Sequence, residues 1–111
     1  METRRVVVTG LGAVTPLGNT KEAFWDGLIA GKSGVGPVTH FDPTKLTTRI
    51  AAEVKGFDPD ALIGRRDARK MDRYAQFAYV AANEAIADAN FPEDAEVRMN
   101  TGAIKIGRAH V

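Results

Sequence analysis

Residues 6–18 constrain the fold more than any other part of this 111-residue chain. They read Val-Val-Val-Thr-Gly-Leu-Gly-Ala-Val-Thr-Pro-Leu-Gly. Three consecutive valines are typical of a strand that is buried on both faces, as in a parallel sheet. Gly10 and Gly12 follow, and the absence of a Cβ atom at each lets another segment approach the backbone closely. The sequence therefore predicts a buried strand, a glycine turn and a proline-containing loop that leads into a helix.

Two nucleotide-binding motifs are incomplete in this chain. A dinucleotide fingerprint needs a third glycine, but Thr15 stands at that position after Gly10 and Gly12. The segment 27–33 is similar to a phosphate-binding loop, but it is one residue too short and follows a helix instead of a strand. These departures argue against a nucleotide site.

Composition limits the classes of protein to which the chain can belong. With 44% hydrophobic and 26% charged residues, it resembles a folded globular protein. No apolar run is long enough to span a membrane, and the short valine run after Arg4 and Arg5 does not resemble a signal peptide. The absence of cysteine excludes a thiolate metal site and favours a cytoplasmic location. A net charge of +1 argues against nucleic-acid binding, so an electrostatic partner would require a local patch.

The first helix is predicted from its end signals. Residues 19–22 form a capping box, in which Asn19 would accept from first-turn amides and Glu22 would reach back. We expect a helix over residues 20–30, closed by Gly31, and then a loop over residues 31–47.

Three further elements complete the predicted pattern. A short strand over residues 49–54 leads into a proline-containing loop near residues 57–59. A long helix is expected from residue 66 or 67 to residue 90, where alanines recur at helical spacing and allow close approach to a neighbouring surface. Another strand is expected over residues 97–104. The order β-α-β-α-β fits a layered α/β architecture.

The landmarks of the chain occur together in one known family. This set resembles the N-terminus of the β-ketoacyl-acyl carrier protein synthases, most closely the type II elongating enzyme. The resemblance runs from residue 4 to about residue 104 and rests on residues 6–18, 24–25, 31–36, 40–42, 50–54 and 69–73. It implies a thiolase-like fold with α-β-α-β-α layers, of which residues 1–104 would form the first part of the N-terminal half.

The same resemblance implies an activity whose reactive groups are not on this chain. In the family, an acyl group moves from carrier protein to an enzyme cysteine. Malonyl-carrier protein then loses carbon dioxide, and the resulting carbanion attacks the thioester, helped by two histidines and an oxyanion hole. These residues lie well beyond the first hundred positions. This chain has no cysteine, and His40 and His110 lie in no matching motif. We therefore predict no catalytic residue, metal or cofactor here, and a homodimer for the full-length enzyme.

The C-terminal tail departs from the family pattern. Residues 106–111 match the translation of the start of a widely used sequencing adapter, and a Lys105 codon AAG would supply the adapter's first two bases. We interpret residues 105–111 as a non-native tail and residues 1–104 as a partial β-ketoacyl synthase domain.

A cluster of positive charge is the strongest candidate for a functional surface. Residues 65–73 contain five basic and two acidic side chains. The resemblance implies that this segment docks the acidic surface of acyl carrier protein. We call the residues predicted to do so the basic patch: Arg65, Arg66, Arg69 and Lys70. An ordinary solvated helix face, with Asp67 and Asp72 paired to neighbouring arginines, is the alternative.

Other interpretations stay open at this point. The parent protein could be a non-catalytic chain-length partner subunit, a polyketide ketosynthase, or a module that only docks carrier protein. A cysteine further along the gene would separate catalysis from a partner subunit. His40 is interpreted as a structural histidine. Three hydroxyls are expected to bond turn amides, namely those of Thr9, Thr15 and Ser33.

Overall fold

A computed structural model describes residues 2–107 of the chain. Within those residues, helices and short strands alternate, which confirms the α/β class in its coarse form. The elements are α1 Lys21–Ile29, β1 Val35–Pro37, β2 Ile50–Ala52, α2 Pro59–Leu62, α3 Arg65–Ala68, α4 Arg73–Asp88 and α5 Ala95–Met99.

The valine segment does not form the predicted buried strand. Val6 is 93% exposed, and no regular strand occurs before residue 21 in the part of the chain that the structure describes. The sheet that is present is antiparallel and pairs β1 with β2, with Val35 opposite Ala52. A strand needs a neighbour to accept its backbone hydrogen bonds, and no described segment lies beside residues 6–8 to do so.

The glycine turn packs directly on helix α4. A Cβ atom built on Gly10 would lie 2.7 Å from the backbone nitrogen of Ala89, and one built on Gly12 would lie 2.9 Å from that of Ala85. Both distances are too short for real side-chain contacts. The prediction that these glycines permit a close approach is confirmed, and the alanine-rich helix is the surface that approaches them.

Two carboxylates on α4 hold this turn in place. Asp88 accepts from the backbone N–H of Leu11 at 3.0 Å, and Glu84 accepts from that of Ala13 at 2.9 Å. Glu84 also accepts from the backbone N–H of Lys21 at 3.1 Å, while the Lys21 ammonium lies 2.6 Å from Asp88. That ammonium lowers the pKa of Asp88, as does the Leu11 amide, and Asp88 in turn raises the pKa of Lys21. Helix α4 therefore positions both the glycine turn and the start of α1.

The N-terminus of α1 is capped differently from the prediction. Thr20 is the N-cap, and its hydroxyl accepts from the backbone N–H of Ala23 at 3.1 Å. Asn19 instead donates its side-chain amide to the carbonyl of Lys55 at 2.8 Å. The Glu22 carboxylate lies 3.4 Å from the Lys21 ammonium and makes no capping bond. The assignment of Asn19 and Glu22 to a capping box was wrong because a long-range partner holds Asn19.

The predicted loop over residues 31–47 contains strand β1. Gly31 ends α1 as predicted: its φ is 66°, and the N–H of Lys32 donates to the carbonyl of Gly27 at 3.0 Å. The strand was missed because Gly36 and Pro37 conceal a strand pattern that pairing with β2 nevertheless stabilises. The strand predicted over residues 49–54 is confirmed in a shorter form.

The long helix predicted from residue 66 or 67 to residue 90 is two helices. Between α3 and α4, residues 69–72 form a turn in which the N–H of Met71 donates to the carbonyl of Ala68 at 3.2 Å. Asp72 is extended, with ψ at 161°, and α4 begins after it. Helix α4 ends two residues earlier than predicted, at Asp88, where Asn90 adopts a φ of 48°.

Two short helices replace a predicted loop and a predicted strand. Helix α2 begins after Asp58, whose carboxylate accepts from the N–H groups of Asp60 and Ala61. Helix α5 begins after Asp94, which makes the equivalent pair of bonds to its own first turn. The strand predicted over residues 97–104 was therefore wrong, because an aspartate cap starts a helix before it.

Lys55 joins three separate segments. Its ammonium donates to the backbone carbonyls of Pro16 at 3.4 Å, Gly34 at 3.0 Å and Glu53 at 3.1 Å. Those carbonyls belong to the loop after the glycine turn, the segment before β1 and the end of β2. One side chain thus replaces the contacts that a larger sheet would otherwise supply.

The hydrophobic core is small for a chain of this length. Among residues 2–107, Phe57 and Ala68 are the buried hydrophobic residues, at 8% and 3% exposure. The radius of gyration is 17.4 Å, whereas a compact domain of this length has one of about 13 Å. In the same described range, no helix is long and apolar enough to cross a membrane. Much apolar surface is consequently uncovered.

Candidate functional site

The basic patch occupies helix α3 and the turn that follows it. Arg65 and Arg66 lie on α3, and Arg69 and Lys70 lie in the turn. All four side chains are exposed. Within residues 2–107, none of them takes part in an ion pair or a side-chain hydrogen bond, and neither Asp67 nor Asp72 is ion-paired. The patch therefore presents four uncompensated cations to solvent from one short segment.

The backbone beneath the patch is fixed from inside. Ala68 is 3% exposed, so α3 is anchored through its last residue. Gln76, on α4, is buried, and its side-chain amide donates to the carbonyl of Ala68 at 2.9 Å and of Met71 at 3.4 Å. Sequence reasoning missed this residue because it was placed within one continuous helix, where no turn needed support.

Arg73 belongs to the same basic run but not to the exposed patch. Its guanidinium lies 4.9 Å from the ring centre of Phe57 and 5.2 Å from that of Phe77. The two rings meet edge to face, with centres 4.9 Å apart. Cations are attracted to aromatic faces in this geometry. The structure thus separates a packed arginine from the four residues that face solvent.

A second polar cluster surrounds His40. Its Nε2 lies 2.9 Å from Glu53, whose carboxylate also accepts from the backbone N–H of Thr39 at 2.7 Å and from its hydroxyl at 2.8 Å. The Thr39 N–H bond is the main cause of the lowered pKa of Glu53, and the Thr39 hydroxyl and His40 add to it. This cluster borders a cavity of about 550 Å³ with Arg73 and Phe77. His40 has a structural partner, in agreement with its interpretation as a structural histidine.

The remaining hydroxyl candidates are turn residues. The Thr15 hydroxyl accepts from the N–H groups of Leu17 and Gly18, each at 3.2 Å, and the Ser33 hydroxyl accepts from that of Val35 at 3.2 Å. Thr9 makes no such bond to any described residue, so its predicted role was wrong. In the part of the chain that the structure covers, no group of three His, Cys, Asp or Glu residues is placed to hold a metal ion.

Comparison with known proteins identifies the class to which this fold and patch belong. Residues 3–107 match the family described as beta-ketoacyl synthase, N-terminal domain, and the chain belongs to that family. The resemblance predicted from the sequence is confirmed.

Individual relatives narrow the similarity further. The chain is 48% identical over 89 residues to 3-oxoacyl-[acyl-carrier-protein] synthase 2 of Synechocystis sp., covering 80% of this chain and 21% of that protein. It is 46% identical over 110 residues to the protein of the same name from Coxiella burnetii, covering 98% of this chain and 25% of the relative. The chain spans about a fifth to a quarter of the length of the curated relatives it matches.

A solved structure supports the thiolase-like fold. The chain superposes with a TM-score of 0.73 on a structure titled the ishigamide ketosynthase/chain length factor, at 39% identity over 81% of this chain and 22% of that one. The proposed boundary after residue 104 stays a prediction. Residues 108–111 of the predicted tail lie outside the described residues, and Lys105 lies 4.4 Å from the ring centre of Tyr74.

Proposed function

We propose that this chain is the N-terminal part of a 3-oxoacyl-acyl carrier protein synthase of type II, which elongates fatty acids. The similarity to the Coxiella burnetii synthase carries the proposal, because it extends at 46% identity over 98% of the chain. A likeness of this extent includes the glycine turn, the alanine helix and the basic run together, and does not depend on one motif.

The proposed reaction is a decarboxylative condensation in the parent enzyme. An acyl group is transferred from carrier protein to the sulfur of a cysteine, which releases the carrier thiol. Malonyl-carrier protein loses carbon dioxide, and its carbanion attacks the acyl carbonyl, expels the cysteine thiolate and gives a 3-ketoacyl product. The chain has no cysteine. Its proposed share of the function is scaffold and docking, and we expect no condensing activity from it alone.

Docking is assigned to the basic patch. Its four cations are exposed and free of acidic partners among residues 2–107. Such a surface attracts an acidic partner over several ångströms, accelerates the encounter and orients it, and salt screens the attraction. The partner that this chemistry fits is acyl carrier protein, which presents an acidic helix beside its acyl-bearing arm. An electrostatic patch can act in this way without any group that touches the reacting atoms.

A non-catalytic partner subunit is the second candidate. The similarity to a ketosynthase/chain length factor structure favours it, since a chain length factor keeps the fold without the cysteine. The N-terminal regions of the two types do not distinguish them. The gene sequence beyond residue 104 does, because a cysteine in a small-residue context indicates catalysis and its replacement indicates a partner subunit.

A chimera tests the catalytic proposal directly. Residues 1–104 replace the matching segment of the Coxiella burnetii synthase, and formation of 3-ketoacyl-carrier protein is measured from acyl- and malonyl-carrier protein. We expect turnover within about tenfold of that of the parent synthase, because the segment supplies scaffold and docking only. The unaltered synthase is the control. A folded chimera that forms no product contradicts the proposal, as does a native gene whose downstream sequence lacks the cysteine.

A further inference from the structure

One buried side chain supports the turn that carries half of the basic patch. Gln76 is 9% exposed, and its Nε2 lies 2.9 Å from the carbonyl oxygen of Ala68 and 3.4 Å from that of Met71. These carbonyls flank the segment 69–70. Gln76 lies on the first turn of α4 beyond it and therefore connects α4 to both ends of the segment.

The orientation of this amide follows from hydrogen-bond chemistry. Two carbonyl oxygens face the same end of the side chain, and only an N–H group can satisfy them. The opposite orientation would place Oε1 against two other acceptors. Oε1 is consequently left buried without a partner among residues 2–107. An amide that leaves its own acceptor unsatisfied indicates that the bonds to the turn are strongly required.

The turn has little other support. The N–H groups of Lys70 and Met71 donate to Asp67 and Ala68 at 3.1 Å and 3.2 Å. Asp72 makes no side-chain cap bond to α4. Arg69 and Lys70 themselves make no side-chain contact to described residues, so they cannot set their own direction. The hydrogen bonds from Gln76 are the long-range restraint on this segment.

We propose that Gln76 is a positioning residue for carrier-protein binding, which holds the turn 69–72 in the shape that presents Arg69 and Lys70 to the partner. This inference rests on the proposed docking function. Gln76 touches neither the partner nor the reacting atoms, and acts through the backbone of the turn. A docking surface built this way is ordered before the encounter, so less conformational entropy is lost on binding.

Two substitutions test the proposal. Gln76→Met keeps the length of the side chain and removes the donor, and Gln76→Glu replaces the donor with an acceptor. The control is Thr20→Ala, which removes the cap of α1 and weakens the protein away from the patch. Binding of acyl carrier protein and amide hydrogen exchange of residues 69–72 are measured at low salt in the 111-residue chain and in the chimera.

The expected result separates positioning from stability. In both Gln76 variants, exchange at residues 69–72 accelerates and the Kd for carrier protein rises about threefold or more, with the larger effect in Gln76→Glu. Thr20→Ala changes neither quantity. A folded Gln76 variant that exchanges faster but binds with the original Kd overturns the proposal and leaves Gln76 with a structural role only.

A measurement on the unaltered protein covers the case in which the variants do not fold. The side-chain amide resonances of Gln76 are expected to shift when carrier protein binds, and resonances that do not move contradict the proposal. Charge reversal at Arg69 and Lys70 tests docking separately. If that reversal leaves Kd unchanged, the docking function fails, whereas the exchange experiment still reports whether Gln76 restrains the turn.

Discussion

The backbone of Gly12 lies so close to helix α4 that a Cβ atom at this position would come within 2.9 Å of the amide nitrogen of Ala85. The substitution Gly12→Ala forces the turn or the helix to move. We expect it to lower the free energy of unfolding by about 1–3 kcal/mol, as overpacking of a close contact does. Urea unfolding of the chimera, monitored by circular dichroism, measures this change.

A matched glycine provides the control for that experiment. Nothing lies within 4 Å of a Cβ atom built on Gly36. We expect Gly36→Ala to change the free energy of unfolding by less than about 0.5 kcal/mol. Equal effects of the two substitutions would show that the contact between the glycine turn and α4 is not a main source of stability.

The pair formed by Lys21 and Asp88 makes stability depend on pH. The Lys21 ammonium and the Leu11 amide lower the pKa of Asp88 below its ordinary value of 3.8. The contribution of Asp88 is therefore complete above pH 3.8 and is lost as pH falls through the lowered value. Lys21 has a pKa raised above 10.5, so its contribution is complete below that pH and is lost as pH rises through the raised value.

Asp88→Asn measures the contribution of this pair. We expect the variant to unfold at lower urea concentration than the original protein near pH 7, and the difference to shrink as pH falls below 3.8. Unfolding midpoints at a series of pH values provide the test. A difference that stays constant down to the acid limit would assign the effect of the substitution to something other than the charge of Asp88.

Charge reversal tests the basic patch. We expect Arg69→Glu with Lys70→Glu to raise the Kd for acyl carrier protein about tenfold at low salt, and to flatten its dependence on salt, because attraction is replaced by repulsion. The control is Lys32→Glu with Lys45→Glu, which changes net charge equally at exposed positions outside the patch. Unchanged affinity in the first variant, or equal loss in both, contradicts a local docking role.

The chain by itself is expected to be poorly stable or to aggregate. Val6, Val7 and Val8 are 93%, 65% and 78% exposed, and the side chain of Trp25 is 60% exposed. Exposed apolar surface of this kind favours association of copies. Size-exclusion chromatography and thermal unfolding of the purified chain check this. A soluble monomer that unfolds in one cooperative transition would show the expectation to be wrong.

Local chemistry predicted part of the structure well. Gly31 ends α1, the strand around Ala51 forms, and Gly10 and Gly12 approach another segment, each for the reason that the residue type dictates. The family resemblance was also carried by local motifs. These features depend on residues within a few positions of each other, where propensity and capping rules are informative.

The failures come from long-range partners. Asn19 looks like a cap but bonds to Lys55, and the helical spacing across residues 66–90 conceals a turn that Gln76 stabilises from eight residues away. The valine segment matches a buried strand, but a strand also needs a neighbour. In the candidate site, the charges were visible in the sequence, while the buried glutamine beneath them carries no signal of its own.

The ammonium of Lys55 has a chemical consequence of its own. All three of its N–H bonds are directed at backbone carbonyls of separate segments, so its nitrogen is unavailable to electrophiles while those segments stay together. An amine-labelling reagent should therefore modify exposed Lys32 early and Lys55 late. The extent of labelling at Lys55, read by mass spectrometry, would report the assembly of these three segments without any introduced probe.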